Sequence, residues 1–434
     1  MPEPIKVRVS SLSYGPDGVG RTTGNANGKV VFVPHSAPGD VLDVDEHTLK
    51  QNYSRGIIVA RREDGPARRS VRCRYVPRCG GCSWQHISYS EQARAKEALV
   101  RDHLQRIAGL KEPAVKPIIR SPKEWRYRHR IRLRTYPPAG LGFYQAKSGE
   151  LVELDDCLIG MDGCEKFLSQ AKSWLRKTQS VIRRLELVVG DAHLKGPGGA
   201  VLIGNAEGKF CQSDSRWCEE FVRDSDGIRG LLLFGRRWRR AWGDTNILLD
   251  LGVDGLTLSV RRGGFTQVNP AGNRALISAL LTNGELRETD TIIECYSGVG
   301  NLSIPLASRV RSVISIEQDR NAILDARDNI SRIGISNIEC IHARVERGLE
   351  DIVARGVEAD VLVLDPPRQG AAAMLTYLKG MKIPKVVYVS CNPSTLARDL
   401  RYLEEIGYGT KIVQPIDLFP QTYHVETIAV AVLT

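Results

Sequence analysis

Residues 291–301 read Thr-Ile-Ile-Glu-Cys-Tyr-Ser-Gly-Val-Gly-Asn, and this stretch decides the fold. An apolar run ends in a glycine turn, and a helical pattern starts at about Leu302. Glycines at such a turn remove side chains, so that the backbone can approach a ligand closely. The third glycine of the dinucleotide fingerprint is absent, and an acidic residue precedes the turn. This shorter turn better suits S-adenosylmethionine, which has no pyrophosphate and carries an amino group that needs acceptors.

The same order of apolar run and helical pattern repeats to the C-terminus. The predicted strands are Thr291–Cys295, Val313–Glu317, Ile338–His342, Val361–Asp365, Val386–Val389 and Thr427–Leu433. Regular alternation of strand and helix predicts an α/β fold with a doubly wound, mainly parallel sheet. Glu317 ends the second strand 19 residues after Gly298, where its carboxylate would accept hydrogen bonds from ribose hydroxyls.

Three reactive side chains stand where predicted strands end or begin. Cys391 follows one apolar run, Asp365 ends another, and Glu426 precedes the last. Such sheets bind ligands at their strand ends, so the thiol and the two carboxylates indicate one active site with a soft nucleophile. A lone cysteine is more often an inert buried residue. The neighbouring motifs favour the catalytic interpretation.

Composition and charge limit the class of protein. The chain has 434 residues, of which 42% are hydrophobic and 26% charged, which predicts two or three globular domains. No apolar run approaches ~20 residues and the first residues lack a signal sequence, so we expect a cytoplasmic protein. Residues 1–264 carry 44 Lys and Arg against 30 Asp and Glu, whereas residues 265–434 carry 17 against 20. A basic N-terminal part favours a nucleic-acid partner over a merely solvated basic surface.

The N-terminal residues 1–62 predict a small barrel. Five short strand-like runs are separated by turn residues: Lys6–Leu12, Gly15–Gly20, Lys29–Pro34, Asp40–Asp45 and Gly56–Arg61. This pattern is typical of an OB-type barrel, a scaffold that often holds single-stranded nucleic acid. A barrel used only for packing is the alternative.

The cysteines indicate metal chemistry. We expect ten cysteines without a secretory signal to stay reduced rather than form disulfides. Three of them, Cys73, Cys79 and Cys82, form a Cys-x5-Cys-x2-Cys cluster that can hold three corners of a metal or iron–sulfur site. Cys157 is the preferred fourth ligand, and Cys164 and His86 are rivals. A structural zinc site fits this donor set equally well.

A run of arginines at period two lies between the cysteine cluster and the catalytic region. The five residues are Arg126, Arg128, Arg130, Arg132 and Arg134. On a strand this spacing places all five guanidinium groups on one side, and phosphate contact with RNA is favoured over a solvated face. A second basic cluster, residues 236–240, contains Trp238, which would either stack on a base or pack internally.

Together these motifs resemble the RNA uracil-C5 methyltransferases of the RumA/TrmA type, also called RlmD-like. The matching segments are residues 265–269, 297–301, 365–370, 388–393 and 417–426. The barrel resembles a TRAM domain through residues 18–21, 29–34 and 38–40. The resemblance implies a Rossmann-like S-adenosylmethionine-dependent methyltransferase domain at 263–434, a TRAM (OB-like) barrel at 1–64, and a central α+β iron–sulfur and RNA-binding domain at 65–262. Helix 90–110 is expected to pack on the catalytic domain.

The resemblance also implies roles for individual residues. Cys391 is expected to be the nucleophile and Glu426 the base. The S-adenosylmethionine and uracil sites would be lined by Gln267, Tyr296, Gly298, Gly300, Asn301, Glu317 and Asp365. A [4Fe–4S] cluster, rather than zinc, would be held by Cys73, Cys79, Cys82 and Cys157. Two residues depart from the family pattern: Arg344 replaces an uncharged polar residue near the adenine, and Tyr296 replaces phenylalanine.

The expected function is methylation of uridine C5 in RNA, with large-subunit ribosomal RNA as the first candidate substrate, by a monomer that does not bind membranes. Uracil C5 is too weakly nucleophilic to take a methyl group directly, and a cysteine thiolate that adds at C6 generates the required enolate. The alternatives are the same chemistry on transfer RNA and a non-catalytic RNA-binding protein. Radical methylthiotransferases also join a cluster to a TRAM barrel, but their Cys-x3-Cys-x2-Cys motif is not evident.

Overall fold

The computed structural model describes residues 3–23, 28–137, 139–146, 148–191, 194 and 199–434. Its N-terminal part is a closed five-stranded barrel with the order β1-β2-β3-β5-β4. The strands are β1 (Ile5–Leu12), β2 (Asp17–Thr22), β3 (Val30–Pro34), β4 (Val41–Leu49) and β5 (Tyr53–Glu63). Alternating valines and leucines of these strands fill the barrel, as a strand period of two requires. The predicted barrel is confirmed.

A mixed seven-stranded sheet forms the central part. Its elements are β6 (Arg130–Tyr136), β7 (Gly140–Tyr144), β8 (Leu151–Glu153), α2 (Cys164–Lys177), β9 (Val181–Val189), β10 (Ala200–Glu207), α3 (Asp214–Asp224), β11 (Ile228–Gly235) and β12 (Trp238–Gly243), preceded by α1 (Tyr89–His103). The strand order is β12-β11-β10-β9-β6-β7-β8. Apolar residues of α2 and of the sheet share one core. A hairpin of β13 (Ile247–Asp250) and β14 (Thr257–Val260) leads into the C-terminal part.

The C-terminal part is a seven-stranded sheet with the order β17-β16-β15-β18-β19-β21-β20. Its elements are α4 (Pro270–Asn283), β15 (Thr291–Cys295), α5 (Ser303–Ala307), β16 (Ser312–Glu317), α6 (Arg320–Ile333), β17 (Ile338–His342), α7 (Val345–Ala354), β18 (Val361–Leu364), α8 (Ala372–Leu375), α9 (Leu378–Met381), β19 (Lys385–Ser390), α10 (Pro393–Glu405), β20 (Tyr408–Ile416) and β21 (Glu426–Leu433). The six predicted strands are confirmed within one or two residues. Sequence reasoning missed β20, and β21 runs antiparallel between β19 and β20.

Helix α1 and the chain after it pack on the C-terminal sheet. Helix α1 continues as a π-helical turn, Leu104–Ala108, and Val100 and Leu104 belong to the same core as the apolar residues of α10. Further on, Val115 and Ile119 form parallel bridges to Val413 and Ile416 of β20. Chain that precedes the C-terminal part therefore covers its helix α10 and strand β20, and the predicted domain limits at 64 and 262 stay a prediction.

None of the helices in the described ranges has the length and apolar character that are needed to span a bilayer.

Candidate active site

The glycine turn after β15 is open on one side. Tyr296, Gly298 and Gly300 all have positive φ angles, of 66°, 58° and 93°. This left-handed conformation favours glycine, and it bends the chain sharply between β15 and α5. A Cβ atom built at Gly298 would meet no atom within 4 Å. The backbone at Gly298 therefore borders open space that a ligand can enter.

Glu317 and Asn301 hold this turn from two sides. The backbone N–H of Gly298 donates to Oε2 of Glu317 (2.9 Å), which places the last residue of β16 against the turn. Asn301 and Asn273 of α4 exchange two side-chain hydrogen bonds of 2.8 and 3.0 Å. The structure thus places Gly298 against Glu317 with Asn301 in the same turn, and their role in a cofactor site stays a prediction.

Carboxylates line the ends of three adjacent strands. Glu317 ends β16, Glu294 is the penultimate residue of β15, and Asp365 follows β18. Glu294 is 1% exposed, and burial raises its pKa to about 8, although Ser303 Oγ donates a hydrogen bond to it. The neighbouring carboxylates Asp365 and Glu317 raise this pKa further. Three carboxyl groups at adjacent strand ends offer hydrogen-bond acceptors to a ligand that carries N–H or O–H groups.

The segment that carries Gln267 lies against the same turn. A Cβ atom on Gly264 would come within 2.7 Å of a methyl group of Val299, between the two glycines of the turn. Gln267 is half-buried, whereas Phe265 next to it in the motif is 67% exposed. An exposed phenylalanine beside a ligand cleft is a surface on which a base can stack.

Cys391 lies at a strand-to-helix junction that local sequence fixes. Strand β19 ends at Ser390. Asn392 caps α10, because its Oδ1 accepts the backbone N–H of Ser394 (3.1 Å), and Pro393 occupies the first helical position. The thiol is therefore held between the end of a buried strand and the start of a capped helix.

Strand register places Glu426 beside Cys391. Ser390 of β19 pairs with Thr427 of β21, and the two strands are antiparallel. The next positions outward are Cys391 and Glu426, which for this reason are neighbours. Glu426 is 2% exposed, and burial first and Asp365 second raise its pKa well above the usual range. A buried carboxylate with a raised pKa is a stronger proton acceptor than an exposed one.

The pKa of the Cys391 thiol is also raised. Burial raises its pKa to about 11, Glu426 and Asp365 add to the effect, and the guanidinium group of Arg368 opposes it. Burial likewise raises the pKa of Asp365 to about 7. The RNA-free protein therefore keeps Cys391 as a thiol at neutral pH.

This state predicts a pH dependence of thiol reactivity. Because the thiolate is the reactive form, alkylation of Cys391 by iodoacetamide should accelerate about tenfold per pH unit between about pH 7 and pH 10. A peptide cysteine under the same conditions should level off near pH 9. Peptide mass spectrometry resolves Cys391 from the other cysteines. A plateau for Cys391 below about pH 8.5 would contradict the shifted pKa.

Residues from the central part hold the segment that leads to Glu426. The ammonium of Lys96 in α1 donates to Oδ1 of Asp417 (2.6 Å) and to the carbonyl of Phe419 (3.0 Å), and Lys96 and Asp417 are both fully buried. Tyr127 Oη donates to the carbonyl of Pro420 (3.0 Å). Sequence reasoning missed these supports, since Lys96 precedes Asp417 by 321 residues and no local pattern relates them.

The four predicted cysteine ligands line one cavity: Cys73, Cys79, Cys82 and Cys157. Burial raises the pKa of Cys79 to about 11 and that of Cys82 to about 12, and other cysteines of the set add to both shifts. The two rivals do not line this cavity: Cys164 begins α2 near Cys157, and His86 Nε2 lies 3.1 Å from the carbonyl of Ser36. In the part of the chain that the structure describes, no three His, Cys, Asp or Glu side chains are arranged closely enough to hold a metal ion.

Arg128 faces the same cavity. It lines the wall beside the cysteines, and its Nε is buried without a hydrogen-bond partner among the described residues. An unpartnered buried N–H costs free energy unless an acceptor reaches it. This cavity thus combines four thiols with one unused cationic donor, a chemistry that fits an anionic thiolate-bound group.

The predicted five-arginine ribbon is wrong as a single strand face. Strand β6 begins only at Arg130. Arg126 has a φ of 52° and pairs with Asp156, and Arg130 is 6% exposed and donates to Glu186 and to the carbonyl of Gly264. Arg132 is exposed although Nε donates to Glu186, and Arg134 lies over the ring of Tyr144. The period of two correctly predicts a strand at β6. The arginines before and at its start, however, form ion pairs with acidic residues from other parts of the chain.

The structure also shows where Arg344 and Trp238 lie, two residues whose roles the sequence left open. Arg344 precedes α7 with 80% of its side chain exposed, 3.9 Å from Glu346. Trp238 packs against Phe210 and donates to the carbonyl of Gly208 (3.0 Å), so its indole is used internally.

Comparison with protein families identifies two parts of the chain. Residues 245–432 match the tRNA (uracil-5-)-methyltransferase family, and residues 3–59 match the TRAM domain. The first match covers the glycine turn, Cys391 and Glu426. The second covers the closed barrel.

Full-length relatives agree with these matches. An uncharacterised RNA methyltransferase of Halalkalibacterium halodurans is 32% identical over 450 residues, which is 98% of this chain and 96% of the relative. One from Caldanaerobacter subterraneus is 32% identical over 448 residues, 98% of this chain and 97% of the relative. A similar solved structure is the crystal structure of the Pyrococcus abyssi tRNA (uracil-54, C5)-methyltransferase in complex with S-adenosyl-L-homocysteine. The two chains superpose with a TM-score of 0.73 and are 25% identical, and the alignment covers 99% of this chain and 100% of the Pyrococcus chain.

Proposed function

This chain belongs to the family of RNA uracil-C5 methyltransferases, and on that premise we propose that it methylates C5 of one uridine in large-subunit ribosomal RNA through a covalent adduct with Cys391. The observation that carries the proposal is the register of β19 and β21, which sets a thiol beside a buried carboxylate. A nucleophile next to a base is the arrangement that this reaction needs.

The chain's own residues divide the work. The thiol of Cys391 releases its proton to solvent, the resulting thiolate adds to C6 of the uracil, and the electron pair of the C5–C6 double bond becomes an enolate. Bound S-adenosylmethionine supplies the electrophilic methyl group that C5 takes up. Glu426 then removes the C5 proton, the double bond re-forms, and the bond between sulfur and C6 breaks, which frees Cys391.

The cofactor is proposed to lie at the open turn after β15. Gly298 leaves space for it, Glu317 would accept hydrogen bonds from the ribose hydroxyls, and Asn301 holds the turn in place. Tyr296 and Gln267 would line the cofactor site, and Asp365 would orient the uracil through its polar edge. Arg344 caps α7 with 80% of its side chain exposed, so its guanidinium group would not have to occupy the place of an adenine ring.

Transfer RNA is the second candidate substrate. The Pyrococcus relative, which this chain matches over its whole length including the barrel, is a tRNA (uracil-54, C5)-methyltransferase. Mapping of 5-methyluridine by mass spectrometry, in ribosomal and transfer RNA from cells with and without the gene, distinguishes the two. Loss of one ribosomal site supports the proposal, loss of a transfer-RNA site transfers it to the second candidate, and unchanged RNA favours a non-catalytic binding protein.

A [4Fe–4S] cluster in the cysteine cavity is part of the proposal. The four thiols and the unpartnered Nε of Arg128 fit a group with net negative charge. A cluster held by four thiolates from two distant chain segments would tie residues 73–82 to Cys157 and so support folding and RNA binding rather than the methyl transfer itself.

Cluster loading gives a direct prediction. Anaerobically purified protein should be brown, with about four irons and four sulfides per chain, and each change to serine at Cys73, Cys79, Cys82 or Cys157 should remove the colour. Cys164→Ser is the matched control, since this thiol begins a helix outside the cavity, and it should stay brown. A colourless protein that binds one zinc ion with full RNA affinity would contradict the cluster.

A further inference from the structure

The turn between β1 and β2 leaves the barrel and reaches the catalytic residues. Tyr14 Oη donates to the backbone carbonyl of Cys391 (3.1 Å), although the two residues are 377 positions apart. Cys391 precedes the residue that caps α10, so its carbonyl lies outside the hydrogen-bond ladder of that helix. The barrel therefore supplies a donor to a carbonyl that the helix itself leaves without one.

The same turn also contacts the segment that leads to Glu426. The ring of Tyr14 meets that of Tyr423 edge to face, with centroids 5.5 Å apart, and that of His103 in α1 at 5.6 Å. Next to it, the carbonyl of Gly15 accepts the indole N–H of Trp84 (3.2 Å), and the backbone N–H of Trp84 donates to the carbonyl of Gln421 (2.9 Å). Trp84 is fully buried.

These contacts attach the barrel turn to both chain segments that carry the catalytic pair. One side of Tyr14 bonds to the residue that carries the thiol, and the other side packs three residues before the base. Edge-to-face aromatic contacts and a buried indole fix such a turn more firmly than a single hydrogen bond does. Movement of the barrel would consequently move Cys391 relative to Glu426.

We propose that Tyr14 is a positioning residue for the nucleophile, through which the TRAM barrel becomes part of the active site. Its hydroxyl fixes the peptide plane after Cys391 and thereby the direction in which the thiol points. RNA that binds the barrel would then set the catalytic geometry. This inference rests on the proposed function of Cys391, and it concerns a residue outside the methyltransferase family match.

Tyr14→Phe removes the hydroxyl and keeps the ring contacts. With substrate RNA and S-adenosylmethionine at saturation, its single-turnover methylation rate should fall about tenfold, the cost of one lost positioning hydrogen bond, while the dissociation constant for RNA stays within about twofold. In RNA-free protein, Cys391 should be alkylated several-fold faster, because its loop is less restrained.

Tyr408→Phe is the matched control. This buried tyrosine also donates to a backbone carbonyl, that of Ile383 (2.6 Å), but lies at the start of β20, away from the catalytic pair. It should lose comparable thermal stability and keep the wild-type methylation and alkylation rates. Equal methylation and alkylation rates in Tyr14→Phe and wild type would overturn the positioning role, as would a rate loss that tracks stability in both variants. If wild type itself methylates no RNA, the proposed function fails, and the alkylation rates alone decide the role of Tyr14.

Discussion

Replacement of Cys391 with alanine is expected to abolish methylation of RNA while S-adenosylmethionine still binds with nearly wild-type affinity. Without the sulfur adduct at C6, uracil C5 has no enolate character and does not attack a methyl group. The cofactor space after β15 does not involve the thiol, so its affinity should persist. A tritium-methyl assay measures turnover, and calorimetric titration measures cofactor binding.

Cys340→Ala is the matched control for this experiment. Cys340 is a half-buried cysteine on β17, at the far edge of the same sheet. The control should methylate RNA at the wild-type rate. If Cys391→Ala also keeps wild-type methylation, covalent catalysis by this thiol is excluded.

Glu426→Gln should stop the reaction at a later point. The amide has the shape of the carboxyl group but does not accept the C5 proton, so addition and methyl transfer occur and elimination stalls. A protein–RNA adduct that survives denaturing electrophoresis should therefore accumulate. The double variant Cys391→Ala, Glu426→Gln should form none, and a slow single variant without adduct would assign the base to another residue.

The positions of six strands in the catalytic part could be predicted because buried parallel strands are continuous apolar runs. Strand β20 was not predicted because Gly409, Lys411 and Pro415 interrupt its apolar run. Only its pairing with β21 identifies it as a strand. The prediction of a single arginine face was wrong for a related reason. A period of two predicts the two faces of a strand but not the residue at which the strand begins. Arg126 and Arg130 form ion pairs with Asp156 and Glu186, which lie elsewhere in the chain.

In the candidate site, too, some residues could be predicted from the sequence and others could not. Gly298, Glu317, Cys391 and Glu426 could be named because each stands at a strand end, and strand ends of one sheet meet. The supports behind them could not be named. Lys96 with Asp417 and Tyr14 with Cys391 join residues more than 300 positions apart, and single polar residues carry no periodic signal.

The central claim is that Cys391 adds to C6 of a uridine and Glu426 resolves the adduct. The most direct test is mass spectrometry of Glu426→Gln after incubation with substrate RNA and S-adenosylmethionine, followed by nuclease and protease digestion. We expect a peptide containing Cys391 that carries a 5-methylated uridine nucleotide on its sulfur. An unmodified Cys391 peptide, recovered while the same sample has produced 5-methyluridine, would contradict it.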